Sequence, residues 1–125
     1  VRECLNYGHT LAHAIEKLSG YGTYSHGHAV AEGMRFAARM GMRLADMPAD
    51  LAQAQGQLLD DLGLPELDWV ASPEQVLETM KRDKKARHGQ VRFVCLHDVG
   101  QWRLQDVPDG VILEELEAYF AQKRR

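Results

Sequence analysis

The chain has little cysteine: two residues, Cys4 and Cys95, far apart and outside any CxxC spacing. That excludes a zinc–thiolate finger and a disulfide framework, and it fits a reducing, cytoplasmic setting. No apolar run approaches the roughly 18 residues that cross a bilayer, so no membrane is expected as a partner. The opening residues carry no signal-peptide pattern. Positive charge is not in excess either. With 15 Lys and Arg against 18 Asp and Glu, the formal net charge is −3, which leaves no electrostatic footprint for nucleic acid. The chain contains no GxGxxG and no GxxxxGK[ST] loop, and Gly20-Tyr21-Gly22 lacks the strand–turn–helix frame of a phosphate cradle. No Ser or Cys stands in a nucleophile elbow.

What is present is a chain of 125 residues, 45% hydrophobic and 26% charged, enough for one globular domain with its own core. It begins at Val1 with no initiator Met, and its richest motif starts at residue 2. The expectation is therefore a piece of a longer protein.

The periodicity predicts a mainly α domain, a multi-helix bundle with one small β-hairpin near the C-terminus. A first helix is expected from residue 3 to about 18, stopped by Ser19-Gly20-Tyr21-Gly22. A second follows from about His28 to Ala45, rich in small residues, with Met34, Met40 and Met42 read as core. Pro48 suits the first turn of a third helix running to about Leu62. Ser72-Pro73-Glu74-Gln75 is a capping start for a fourth, running to about Asp83. The runs Val91–Leu96 and Trp102–Val107 read as the two strands of the hairpin. Pro108-Asp109 opens a last helix to about Gln122, with Ile112, Leu116, Tyr119 and Phe120 facing inward.

Chemistry concentrates at the start. Four of the six histidines, His9, His13, His26 and His28, fall within one short stretch. Neutral imidazole is the commonest protein ligand for zinc and titrates near neutral pH. On one helix, Arg2, Asn6, His9 and His13 would form a single polar stripe, which suits either a site or a hydrogen-bonded interior network. Two helices folded back across the Gly-rich turn would bring His26 to His9, two ligands of a site that usually needs three. His28, Glu32 or a carboxylate from outside this chain would be the third. The competing reading has His9 and His26 bonded to backbone carbonyls near the turn. His88 and His97 carry no assignment. In Asp83-Lys84-Lys85, the lysines either answer a helix C-terminus or grip phosphate or carboxylate.

The segments RECLNYGHTLAHAIE (residues 2–16), Gly20-Tyr21-Gly22, His26-Gly27-x-Ala29-Val30-Ala31-x-Gly33-Met34, Gly63-Leu64-Pro65 and Asp83-Lys84-Lys85 stand here in one order. In them the chain resembles the C-terminal helical domain of the dehydroquinate synthase family, within the sugar phosphate cyclases. The resemblance implies that His9 and His26 are metal ligands, usually for Zn2+ though another divalent metal such as Co2+ can serve, with a glutamate from an N-terminal domain as the third. It implies that Arg2, Asn6, His13 and a lysine of the last cluster, Lys85 or Lys84, bind the substrate, with His13 and the lysine as catalytic groups. NAD would be held mainly by a separate N-terminal α/β domain, so no cofactor-binding residue is assigned here, and the full-length enzyme would be a homodimer. The implied reaction is lyase chemistry of the shikimate pathway, which leads to the aromatic amino acids. A seven-carbon 3-deoxy sugar acid phosphate is oxidised transiently by NAD, loses phosphate, is reduced again and closes as a carbocycle. This chain alone is expected to be inactive.

One residue departs from the family's pattern: His28 stands where His-Gly-Glu-Ala-Val would place a glutamate. The other readings weighed are a different sugar phosphate cyclase, a metal-dependent polyol dehydrogenase resembling the glycerol dehydrogenases, and a non-catalytic metal-binding helical domain. Under the cyclase reading, Arg2, Asn6, His13 and Lys85 should converge on an open cavity.

Overall fold

The computed structural model describes residues 8–20, 22–83, 91–98 and 101–123, with side chains described for 8–20, 22–82 and 107–123. Five helices and two strands follow in the order α1 (His9–Ser19), α2 (His26–Leu44), α3 (Ala49–Asp61), α4 (Pro73–Asp83), β1 (Val91–Asp98), β2 (Gln101–Val107) and α5 (Asp109–Lys123). The described part is mainly helical.

α1 turns Leu11, Ala12, Ala14 and Ile15 into the core and ends at Gly20, whose φ of 89° continues no helix. Lys17 lies in its last turn, where a cation answers the unpaired carbonyls. Its described start is His9. Gly8 holds a left-handed φ of 84°, so the helical path starts at His9. The stretch expected before Gly8, with Arg2 and Asn6 in it, lies outside the described residues.

α2 is the central helix and buries nine residues, among them Ala29, Gly33, Phe36, Ala37 and Met40. It starts two residues earlier than expected because Ser25 caps it, its Oγ accepting from the His28 amide at 3.1 Å. Met42 corrects the sequence reading: it is exposed, on the outer side of a helix whose last turns bury Met40 and Gly41. Pro48 is the N-cap of α3 rather than a residue of its first turn, and that helix buries only Leu59. Leu58 and Leu62 stay exposed. At α4, the Gln75 amide donates to Ser72 Oγ at 3.4 Å, and the Ser72 hydroxyl donates to Glu74. The Gln75 amide thus makes the capping contact expected of it, and Glu74 accepts from the Ser72 hydroxyl in addition. β1 and β2 pair antiparallel from Val91 opposite Val107 to Asp98 opposite Gln101, with an irregularity between Leu96 and Asp98.

The core is shared by α1, α2, α4 and α5. Leu11, Ile15, Phe36, Met40, Met80, Ile112, Leu116 and Phe120 are among its largest fully buried side chains. Trp69 meets Phe120 edge-on at 5.4 Å, and Phe36 meets Tyr119 likewise at 5.4 Å. All four residues expected on the inner face of α5 are buried. Arg39 and Arg43 of α2 reach Glu115 and Glu114 of α5 along the rim.

Candidate metal half-site

The site is built on the start of α1 and the start of α2. His9 is the first residue of α1 and His26 the first of α2. Between the two helices lies a short turn in which Gly20 and Gly22 both hold positive φ, a conformation that glycine adopts without steric cost. The helices touch through glycine backbones. A Cβ placed on Gly33 would fall 1.9 Å from the carbonyl oxygen of Gly8, an approach no larger residue permits. Gly8 in turn is buried against Met34 and the Val30 carbonyl. Two glycines thus set how close the His9 end of α1 comes to α2.

Within this frame the His9 and His26 rings stack with centroids 5.7 Å apart and planes 20° apart. His13 stands edge-on to His9 at 6.0 Å. Two imidazoles on one zinc, with Zn–N bonds of about 2.0–2.1 Å, place their ring centres roughly 5–6 Å apart. The His9–His26 spacing falls in that range, and two neutral nitrogens are the donors zinc prefers. Because imidazole ligates in its own ring plane, a shared ion requires the rings to turn out of the stack. They would supply two donors of a site that usually needs three from the protein. Among the described residues no group of three or more His, Cys, Asp or Glu is placed to hold a metal.

The two nearby candidates for a third ligand are accounted for otherwise. Glu32 is fully buried, and its Oε1 accepts from the Leu67 amide at 2.9 Å. Its Oε2 accepts from the Tyr119 hydroxyl and pairs with Lys123 Nζ at 2.7 Å. Both oxygens are thus committed to α5 and the segment before α4. His28 Nδ1 lies 2.5 Å from Ser25 Oγ, so that ring closes the cap of α2. His26 does not bond a backbone carbonyl, as the competing reading has it: its Nδ1 lies 3.1 Å from Glu16 Oε2. Sequence reasoning gave Glu16 no role. The available signal was its position, three residues after His13 and seven after His9 on one helical face.

His13 is exposed beside His9, open to a ligand. Arg2, Asn6, Lys84 and Lys85 lie outside the described residues, and so does the convergence expected of them. Two clefts among the described residues are lined by other groups. One, of about 400 Å³, is bounded by Glu66, Leu67, Asp68, Tyr119, Gln122 and Lys123. The other, of about 380 Å³, is bounded by Glu74, Leu77, Glu78, Lys81, Arg82 and Leu113. No helix among the described residues is long and apolar enough to cross a membrane.

Comparison with known proteins gives this half-site a setting. The 3-dehydroquinate synthase from Syntrophotalea carbinolica is 42% identical over 121 residues, covering 95% of this chain and 33% of that protein. The 3-dehydroquinate synthase from Nitrosomonas europaea is 40% identical over 122 residues, covering 97% of this chain and 33% of that protein. The chain thus spans about a third of the length of the curated relatives it matches. Among solved structures, a 2-deoxy-scyllo-inosose synthase complexed with carbaglucose-6-phosphate, NAD+ and Co2+ superposes with a TM-score of 0.75 at 28% identity. That match covers 90% of this chain and 32% of the other. The profile of the 3-dehydroquinate synthase C-terminal family matches residues 1–86, which include every histidine of the stack and both glycines beneath it. The chain belongs to that family.

Proposed function

We propose that this chain is the metal- and substrate-binding domain of a 3-dehydroquinate synthase. The whole enzyme converts a seven-carbon 3-deoxy sugar acid phosphate to 3-dehydroquinate with loss of phosphate, in the cytoplasm. The observation that carries this reading is the His9–His26 stack at 5.7 Å, built inside the family-matched segment. His9 and His26 hold the divalent metal, Zn2+ or Co2+, and a carboxylate from a preceding domain completes the set. When bound, the ion supplies Lewis-acid stabilisation of oxyanion character on the substrate's hydroxyls.

The chain's own residues bind and orient. His13, exposed beside the stack, reaches a phosphate or hydroxyl oxygen of the substrate. Arg2, Asn6 and Lys85 or Lys84 grip its carboxylate and phosphate, so that their contribution is position and charge. NAD belongs to a separate N-terminal α/β domain, the full-length protein is a homodimer, and these 125 residues alone turn over no substrate.

A related cyclase acting on a different sugar phosphate is the second reading. It is favoured by the resemblance to the inosose synthase and by His28 where the family pattern has glutamate. Competition between a seven-carbon sugar acid phosphate and carbaglucose-6-phosphate for this site decides between the two.

Titrating Zn2+ into the chain by calorimetry, with His9→Ala and His26→Ala alongside, tests the metal half-site. Binding in the parent and its loss in both variants is the expected result. Equal heats from all three would refute it.

A further inference from the structure

Glu16 has no assigned part in the site, yet it is the group that touches His26. Its Oε2 lies 3.1 Å from His26 Nδ1. A carboxylate only accepts, so the ring nitrogen facing it carries the hydrogen and donates. The two side chains are unequal. Glu16 is 19% exposed and His26 62%, so the more enclosed carboxylate anchors the ring that would otherwise swing in water. Glu16 also shares a face of α1 with His9 and His13. By holding Nδ1 it lays the His26 ring over that face, where it stacks on His9 with planes 20° apart.

We infer that Glu16 is a positioning residue for the metal half-site: by accepting from Nδ1–H it fixes the tautomer and orientation of His26, so that Nε2 is the nitrogen offered to the ion. The hydrogen bond at one ring nitrogen decides which other nitrogen can ligate. Carboxylates that orient ligating histidines in this way are worth about 10- to 100-fold in metal affinity. An exposed ion pair with no such role contributes little and leaves metal binding untouched.

The inference rests on the metal reading above, and its test separates the two. The His26 tautomer is read without metal, from ring 15N shifts at about pH 8.5, where an ordinary imidazole is neutral. The parent is expected to show Nδ1–H with unprotonated Nε2. Glu16→Ala is expected to lose that preference, while Glu16→Gln, whose amide oxygen still accepts, keeps it. Co2+ is then titrated into the parent, both Glu16 variants and His9→Ala, followed by its visible absorption, with circular dichroism to show that each is folded. Affinity about 10- to 100-fold weaker in Glu16→Ala, with part of the loss recovered in Glu16→Gln, supports the inference. Co2+ bound equally by parent and Glu16→Ala but lost in His9→Ala overturns the role of Glu16 and leaves the metal reading standing. The same tautomer in parent and Glu16→Ala overturns it as well. A parent that takes no Co2+ at millimolar concentration brings down the metal reading, and this inference with it.

Discussion

At Gly33 the backbone of α2 comes so near that of α1 that an added Cβ would sit 1.9 Å from the Gly8 carbonyl oxygen and 3.3 Å from the Ala12 amide. Both are backbone atoms, so nothing can rotate aside. Gly33→Ala is expected to destabilise the fold by about 1–3 kcal/mol, the usual range for overpacking. It should also push the His9 end of α1 away from His26, so Co2+ affinity falls further than the shift in melting temperature alone explains. Gly8→Ala meets Met34 and the Val30 carbonyl at 2.7–2.8 Å and is strained by a φ of 84°. It is expected to cost more than the change at Gly33, measured by urea unfolding of the two variants together. At this scale the sequence was legible in part. His9 and His26 stand out because histidine is seldom so dense. Glu16 does not stand out, because an acidic side chain two turns along an amphipathic helix looks like any solvated one.

The helices themselves were largely legible, for their limits are marked by local chemistry. Gly20, Ser25, Pro48 and Ser72 each stop or start an element within a residue or two of where turn and cap rules place it. What escaped was non-local. Glu32 sits in the middle of α2, and its partners Leu67, Tyr119 and Lys123 come from distant parts of the chain. No local pattern announces that a glutamate will be sealed there. Its consequence is a lock between α2 and the end of α5. Lys123 is 7% exposed, donates also to the Leu67 carbonyl, and lies over the Tyr119 ring at 5.0 Å. Glu32→Gln leaves that ammonium buried without its carboxylate, and such a loss costs about 3–5 kcal/mol. The double variant Glu32→Gln/Lys123→Met removes both ends of the pair. It is expected to regain much of the lost stability, as a higher urea midpoint than the single variant.

For the molecule as a whole, the same lock sets behaviour at high pH. Burial, the Glu32 carboxylate and the hydrogen bond to it raise the Tyr119 hydroxyl far above the ordinary tyrosine value of 10.0. A raised folded value means that the unfolded chain gives up this proton first. The stability it represents is thus fully present below about pH 10 and is lost as pH rises beyond. Tyr24, hydrogen-bonded to Asp68, shifts in the same direction. Tyr119→Phe should cost about 1.5–3 kcal/mol at pH 8, as hydrogen bonds to charged groups do. The gap between parent and variant should narrow steadily as pH passes 10, in urea unfolding curves taken from pH 8 to 11. A gap that widened would contradict the assignment. The domain's helical class and the closeness of His9 to His26 were readable from one sequence because they depend on helical period and on a dense local motif. Its buried ion pair was not, because that depends on which distant segments meet.

The contact between Gly8 and Gly33 also bears on how such a domain can change over generations. A first step at either position alone is costly. A side chain at 33 strikes the backbone at 8, and one at 8 strikes Met34 and the backbone at 30. Escape needs several coordinated replacements, each damaging by itself, so drift is channelled elsewhere. Exposed positions such as His13 meet no such barrier. A lineage built on this contact would diversify its exposed side chains long before it could alter the distance between the His9 and His26 rings.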